Sequence, residues 1–224
     1  MTTRTLYHHT LLPQARRVRL ALHEKRLQFT EVALDPFNPT DELLELNPAG
    51  ELPVLVDDNE FIVCDANTIC EYLEEAYPQT NLLGRTPKDR AETRRLAAWF
   101  DQKFYRDVTQ HLAGEKLTRR LFENAAPDSR ALRAGRENIH THMQYIAWLT
   151  ERRSWLAGDD ISYADLAAAA HLSLIDYSGD VPWTTHPLTK EWYVRIKSRF
   201  SFRCLLADTV PGIAPAPVYA DLDF

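Results

Sequence analysis

The spacing of apolar residues switches repeatedly before Pro78 and settles to a helical period after it. Alternation of period two builds a half-buried strand, whereas recurrence every three or four residues builds a helix with one apolar stripe. A chain that mixes both and then keeps only the second must fold as a mixed layer followed by a helical bundle.

The mixed part reads in order. Arg4 to His9 alternates as a strand. Gln14 to Lys25 is a helix with Ala15, Val18, Ala21 and Leu22 on one face, and Phe29 to Leu34 is a second strand. A short helix opens at a Thr40 or Asp41 cap. LPVLVDDNEFIVC gives two apolar runs around Asp57, Asp58 and Asn59, the residue types of a hairpin turn, and Asp65 opens a helix to about Tyr77. The order βαβ, connection, ββα predicts an α/β domain over 1–78.

Residues 79–90 carry the proline, glycine and polar density of a linker. Helices then dominate 91–210: Lys88 to about Phe122, Ser129 to Arg153, Ser162 to Tyr177 and Glu191 to about Arg199. The Ser162 helix is small and apolar on every side, which places it in the middle of the bundle. Ser162 and Asp165 have the spacing of a capping box, a folding device rather than a site. The prolines of 211–224 forbid helix, so this is an extended tail.

Charge and cysteine content narrow the function classes. A formal net charge of −6 disfavours general binding to nucleic acid or an anionic membrane, since both need a positive field. Cys64, Cys70 and Cys204 have no CxxC spacing and no secretory signal before them, which points to a reducing cytosol. Cys64 and Cys70 read as small buried hydrophobes. His140 and His142 stand two apart on a helix, point to different sides and make a poor metal pair, so no metal is expected.

Three stretches in order, LYHHTLLPQARRVRLAL, NPAGELPVLVDDNEFIVCDANTICEYLEEAYP and LAGDDISYADLAAAAHLSL, resemble the glutathione S-transferase superfamily along nearly the whole chain. The resemblance implies a thioredoxin-like N-terminal domain and an all-helical C-terminal one. It also implies a cis Leu52–Pro53 bond, whose preceding backbone can pair with an extended peptide. Serine-type members place their thiolate-stabilising hydroxyl six residues before the valine of VRLAL, just ahead of a proline. Here that position is Leu12, followed by Pro13. A leucine donates no hydrogen bond to a thiolate, so the main lever for lowering a thiol pKa is missing.

Two more pocket positions depart from the family pattern. The Glu-Ser pair that holds the γ-glutamyl carboxylate reads Asp65-Ala66, which leaves backbone N–H groups and the helix dipole but no hydroxyl. A basic residue after the NPxG glycine is replaced by Glu51, which repels a carboxylate. These departures predict a degenerate pocket, no glutathione cofactor and no catalytic residue. Tyr7, His9 and Thr10 stand close enough in sequence to be substitute donors, which keeps a glutathione-dependent transferase or reductase as the alternative.

With the pocket degenerate, function shifts to surfaces. The tail either packs on its own helical domain or presents Tyr219, Asp221, Leu222, Asp223 and Phe224 to a partner. The basic groups Lys116, Arg119, Arg120 and Arg130, Arg133, Arg136 read as one end of the bundle, either a docking patch or a solvated face. Arg195, Lys197, Arg199 and Arg203 raise the same question. Leu12, Asp65-Ala66 and the YADLDF terminus resemble the transferase-like division proteins of bacteria that bind, curve and stabilise FtsZ polymers during constriction. That resemblance implies the FtsZ polymer as partner, a homodimer, and a cytoplasmic place at the division site.

Overall fold

The computed structural model describes residues 4–222. Strands β1 (Thr5–His8), β2 (Thr30–Ala33), β3 (Val54–Asp57) and β4 (Phe61–Cys64) form one sheet in the order β2-β1-β3-β4. β1 pairs parallel with β2 and antiparallel with β3, and β3 pairs antiparallel with β4. Helices α1 (Pro13–Glu24), α2 (Asp41–Leu46) and α3 (Ala66–Ala76) complete the βαβ-ββα order read from the sequence. Thr40 is the α2 cap, its hydroxyl accepting from the Leu43 N–H at 3.3 Å. The β3–β4 turn is a 3-10 turn over Asp58–Glu60. The Leu52–Pro53 bond is cis.

The helical part begins inside the stretch that composition marks as linker. Thr86 and Asp89 form a capping box and Pro87 takes the first helical position, so α4 runs Pro87–Ala98. It continues as a π-wound segment, Trp99–Glu123. Among its buried residues, Phe100, Phe104, Val108, Leu112 and Leu117 recur every four or five positions, wider than the α period, as i→i+5 winding requires. The single long helix expected from Lys88 is therefore two windings in one rod. α5 (Ser129–Thr150) packs against it so closely that a Cβ on Gly135 would lie 2.8 Å from Leu112. α6 is Tyr163–Tyr177 and α7 is Pro187–Lys197. α7 starts earlier than expected because Pro187 opens it. The short α8 (Arg203–Leu206) carries no periodic signal.

Every residue of α6 is buried, as its all-round apolar sequence predicts. Its start is built on Asp165, whose carboxylate is fully buried and accepts from Leu156 N, Ser162 N, Ser162 Oγ and Trp192 Nε1 at 2.9–3.0 Å. The capping box thus also ties α6 to α7 and to the loop before it. One continuous apolar core runs from Leu6, Val18 and Leu22 to Phe100, Ile139 and Ile175, so the two halves share an interior.

Polar anchoring at that junction comes from α1. Arg16, Arg17 and Arg19 are buried beside the apolar face expected of this helix. Arg16 donates to Thr10 O at 2.6 Å and Ser173 Oγ at 2.8 Å, and Arg17 pairs with Asp101 and donates to Asn67 at 2.9 Å. Arg19 binds Asp208 at 2.7 Å and Glu31 at 3.0 Å, and His8 Nε2 lies 3.1 Å from the same Glu31 oxygen.

Burial alone would raise the Glu31 carboxyl, but the His8 hydrogen bond and the Arg19 charge outweigh it and hold the group at about 2. A folded value below the ordinary 4.5 means that ionised Glu31 supports the fold above that pH and ceases to as the pH falls toward 2. Glu31→Gln is expected to lower stability near neutrality and to flatten the acid limb, read from urea midpoints between about pH 6 and about pH 2.

Candidate functional site

A cleft is lined on one side by Leu11, Leu12 and Pro13 and on the other by the π segment, including Tyr105, Thr109 and Ala113. Its volume is about 290 Å³, and Phe37 lies at its mouth, packed on Phe122 at 4.7 Å. Leu12 is the N-cap of α1 and makes no side-chain cap, and Pro13 takes the first helical position. Leu11, Leu12 and Pro13 make this wall apolar.

None of the three substitute donors lines this cleft. Burial and then Glu42 raise the Tyr7 pKa, so the phenol keeps its proton. His9 Nδ1 accepts the Leu11 N–H at 3.2 Å, which places the neutral ring's proton on Nε2, and burial lowers its pKa. A neutral His9 offers no cation to a thiolate. Thr10 contributes its carbonyl to Arg16.

The other residues that the resemblance assigns to the pocket, Glu51, Pro53, Asp65 and Ala66, lie outside the lining of this cleft. Asp65 has φ +70° and its Oδ1 accepts from Asn67 N at 2.7 Å and Thr68 N at 3.2 Å. Of the N–H groups expected to remain for a ligand, those of Asn67 and Thr68 are therefore taken by the chain's own carboxylate at the α3 N-terminus, where dipole and N–H groups favour an anion. Ala66 is buried and adds no donor, and Pro53 is buried beside the exposed Glu51.

Sequence reasoning missed the polar row behind the cleft. Thr109 Oγ1 lies 2.8 Å from His171 Nδ1, and His171 Nε2 lies 3.4 Å from Asp101, which Arg17 also holds. Burial lowers the His171 pKa. Burial opposes ionisation of Asp101, yet Arg17 and then His171 bring its pKa below the ordinary value. The neutral ring donates from Nε2 to Asp101 and accepts the Thr109 hydroxyl at Nδ1. The only local hint was three arginines within four positions of a helix that otherwise turns inward.

The candidate surfaces divide. Lys116 and Arg136 converge on Asp180, and Arg119 pairs with Glu115 and Glu123, so the two basic groups do share one end of the bundle. Arg120, Arg130 and Arg133 are exposed and form no ion pair among the described residues. The second basic group disperses: Lys197 is buried against Asp176 at 3.2 Å, Arg199 pairs with Glu24, Arg195 lies over Trp155, and Arg203 lies over Phe200.

Tyr219 is corrected from partner-facing to core. It is 1% exposed, donates to Leu205 O at 2.7 Å and packs edge-on against Tyr177 at 5.0 Å. Tyr177 donates to Ile213 O and accepts from Val210 N, so the tail folds back on its own domain. Asp221 and Leu222 are exposed, and Asp223 and Phe224 lie outside the described residues. His140 and His142 diverge as expected, with His142 accepting from Trp99 Nε1 at 3.1 Å. Cys70 is buried, which pushes its thiol up to about 11.

Residues 6–81 match the glutathione S-transferase N-terminal domain and residues 125–199 match the C-terminal domain. A relative from Caulobacter vibrioides, FtsZ-localized protein A, is 50% identical over 99% of this chain and 98% of its own. This chain belongs to the glutathione S-transferase family. A glutathione S-transferase structure from Rhodospirillum rubrum F11 is 56% identical with a TM-score of 0.97, over 99% of this chain and all of the other. The structure of FzlA from C. crescentus is 49% identical with a TM-score of 0.96 over the same shares. The transferase fold is therefore retained, and Leu12 stands in the wall of the cleft.

Asp65→Ala is expected to destabilise the protein by about 0.5–2 kcal/mol, since two α3 N–H groups lose their acceptor. Thr109→Val is expected to cost about 1–3 kcal/mol by stranding His171 Nδ1 in the core. Chemical denaturation of each variant checks both values.

Proposed function

We propose that this chain is a non-catalytic member of the transferase family that binds FtsZ polymers, curving and stabilising them to support constriction. The observation that carries the reading is its 50% identity, end to end, to FtsZ-localized protein A. The apolar wall at Leu12 and the self-capped α3 support the same reading, because they remove what thiol activation and carboxylate capture need.

In this proposal the protein acts as a homodimer in the cytoplasm at the division site. A two-fold dimer offers two identical patches to a repeating filament, and the second contact forms at high effective concentration. Exposed Phe61 and Ile62 on β4 and the half-exposed Trp148 on α5 leave apolar surface on both domains for such pairing. The free cations Arg120, Arg130 and Arg133, with Asp221 and Leu222, are the candidate filament contacts. Glutathione has no part in it. No helix among the described residues is long and apolar enough to cross a membrane.

A second reading, a glutathione-dependent transferase or reductase, is favoured by one observation, the 56% identity to the Rhodospirillum rubrum structure named as a transferase. Conjugation of a reactive aryl halide, lost in Tyr7→Phe or His9→Ala, would be its mark.

Co-sedimentation with GTP-assembled FtsZ decides between them. Saturable pelleting is expected, unchanged in Leu12→Ser and weakened roughly tenfold when Arg120, Arg130 and Arg133 are all changed to Glu. Absence of pelleting by a folded protein would reject the filament-binding role.

A further inference from the structure

A separate cavity, of about 260 Å³, lies where α1, α3, α4 and α6 meet. It shares no lining residue with the cleft at Leu12. Cys70, Leu83, Ala97 and Ala98 give it a mainly apolar wall, and Arg17 and Asn67 bring polar groups to it. Arg17 is 1% exposed, and its Nε–H has no hydrogen-bond partner among the described residues. A stranded donor of this kind is uncommon in the interior of a folded chain.

We propose that this cavity is a binding site for a compact neutral molecule that places a carbonyl oxygen on the Arg17 Nε–H and an apolar body against the wall. The direction of the free donor follows from guanidinium geometry, in which Nε–H and one Nη2–H leave the same edge of the plane in parallel. Arg17 Nη2 donates to Asn67 Oδ1 at 2.9 Å, so that edge faces α3, whose Asn67 and Cys70 line the cavity. Nη1, on the other side, pairs with Asp101. Burial pushes the Cys70 thiol up to about 11, so no thiolate answers the free N–H.

Charge decides the ligand class. The Arg17 cation is matched by Asp101, and Arg94, which also lines the cavity, is matched by Glu71 through bonds of 2.6 and 2.7 Å. An anionic ligand would bring a buried charge for which no counter-ion is left, whereas a neutral acceptor satisfies the N–H without that cost. Size narrows it further, since sites for drug-sized ligands span about 300–1,000 Å³ and this one is smaller. Water competes for the N–H, but a mainly apolar wall leaves it short of the about two to four partners it needs, and a carbonyl on an apolar body displaces it with a gain. The Arg94–Glu71 pair stands on the solvent side of the cavity, and exposed pairs contribute little, so it opposes entry weakly.

The test titrates the full chain with acetophenone, ethylbenzene and benzoate, molecules of similar shape, followed by ligand-observed nuclear magnetic resonance. Acetophenone has the neutral acceptor, ethylbenzene lacks it, and benzoate replaces it with a charge. Saturable binding of acetophenone is expected, at least about tenfold tighter than that of the other two. Ala97→Leu, which fills the cavity from α4, should abolish it, and Leu12→Trp, in the separate cleft, should leave it unchanged. Arg17→Lys, which keeps a cation for Asp101 and removes the Nε–H, should bring acetophenone level with ethylbenzene. Acetophenone should also raise the melting temperature of the wild type and not of Ala97→Leu. Absence of saturable binding, equal binding of ethylbenzene or benzoate, unchanged binding in Ala97→Leu, or its loss in Leu12→Trp would overturn the assignment.

Discussion

Arg17 reaches out of the first helix of the α/β half and meets Asp101 on the π segment of the helical half, where the guanidinium is buried and the carboxylate is 10% exposed. A buried pair of this kind adds little net stability over apolar residues of the same volume, but breaking it by removing one partner strands a charge. Arg16 and Arg19 repeat the arrangement with Asp208, so the tail segment is drawn into the same network. The relative placement of the two halves, and therefore the shape of the cleft between them, depends on these guanidinium contacts as well as on the shared apolar core.

That placement sets the chemistry of the cleft. α1 starts at Leu12 and Pro13 with an apolar face toward the π segment, and the polar row of Thr109, His171 and Asp101 sits behind the opposite wall. Asp65 caps Asn67 and Thr68 at the α3 N-terminus. The fold is the family's own, with Asp65 as the cap at the start of α3. A fold carries no activity by itself; activity is set by the side chains it positions.

Much of the architecture was legible from local pattern. The βαβ-ββα order, the central burial of α6 and the Ser162–Asp165 cap all follow from spacing and residue type within a few positions. The boundaries that slipped did so where caps or windings overrode composition. Thr86 and Pro87 started a helix inside a linker-like stretch, and the π winding beyond Ala98 left no break in the apolar pattern. At the site, Leu12 ahead of Pro13 was visible, whereas the capping of Asn67 and Thr68 by Asp65 goes with a backbone angle at that residue that the sequence does not show.

The sequence by itself determined the layers, because amphipathic period is a property of neighbouring residues and each element must bury its own apolar face. Only the tertiary structure decided what the charged and aromatic side chains do. The three α1 arginines became interior, Tyr219 turned inward onto Tyr177, and His140 found His186 instead of His142. A long polar side chain can be buried only when a partner waits for it, and those partners come from chain segments far away in sequence.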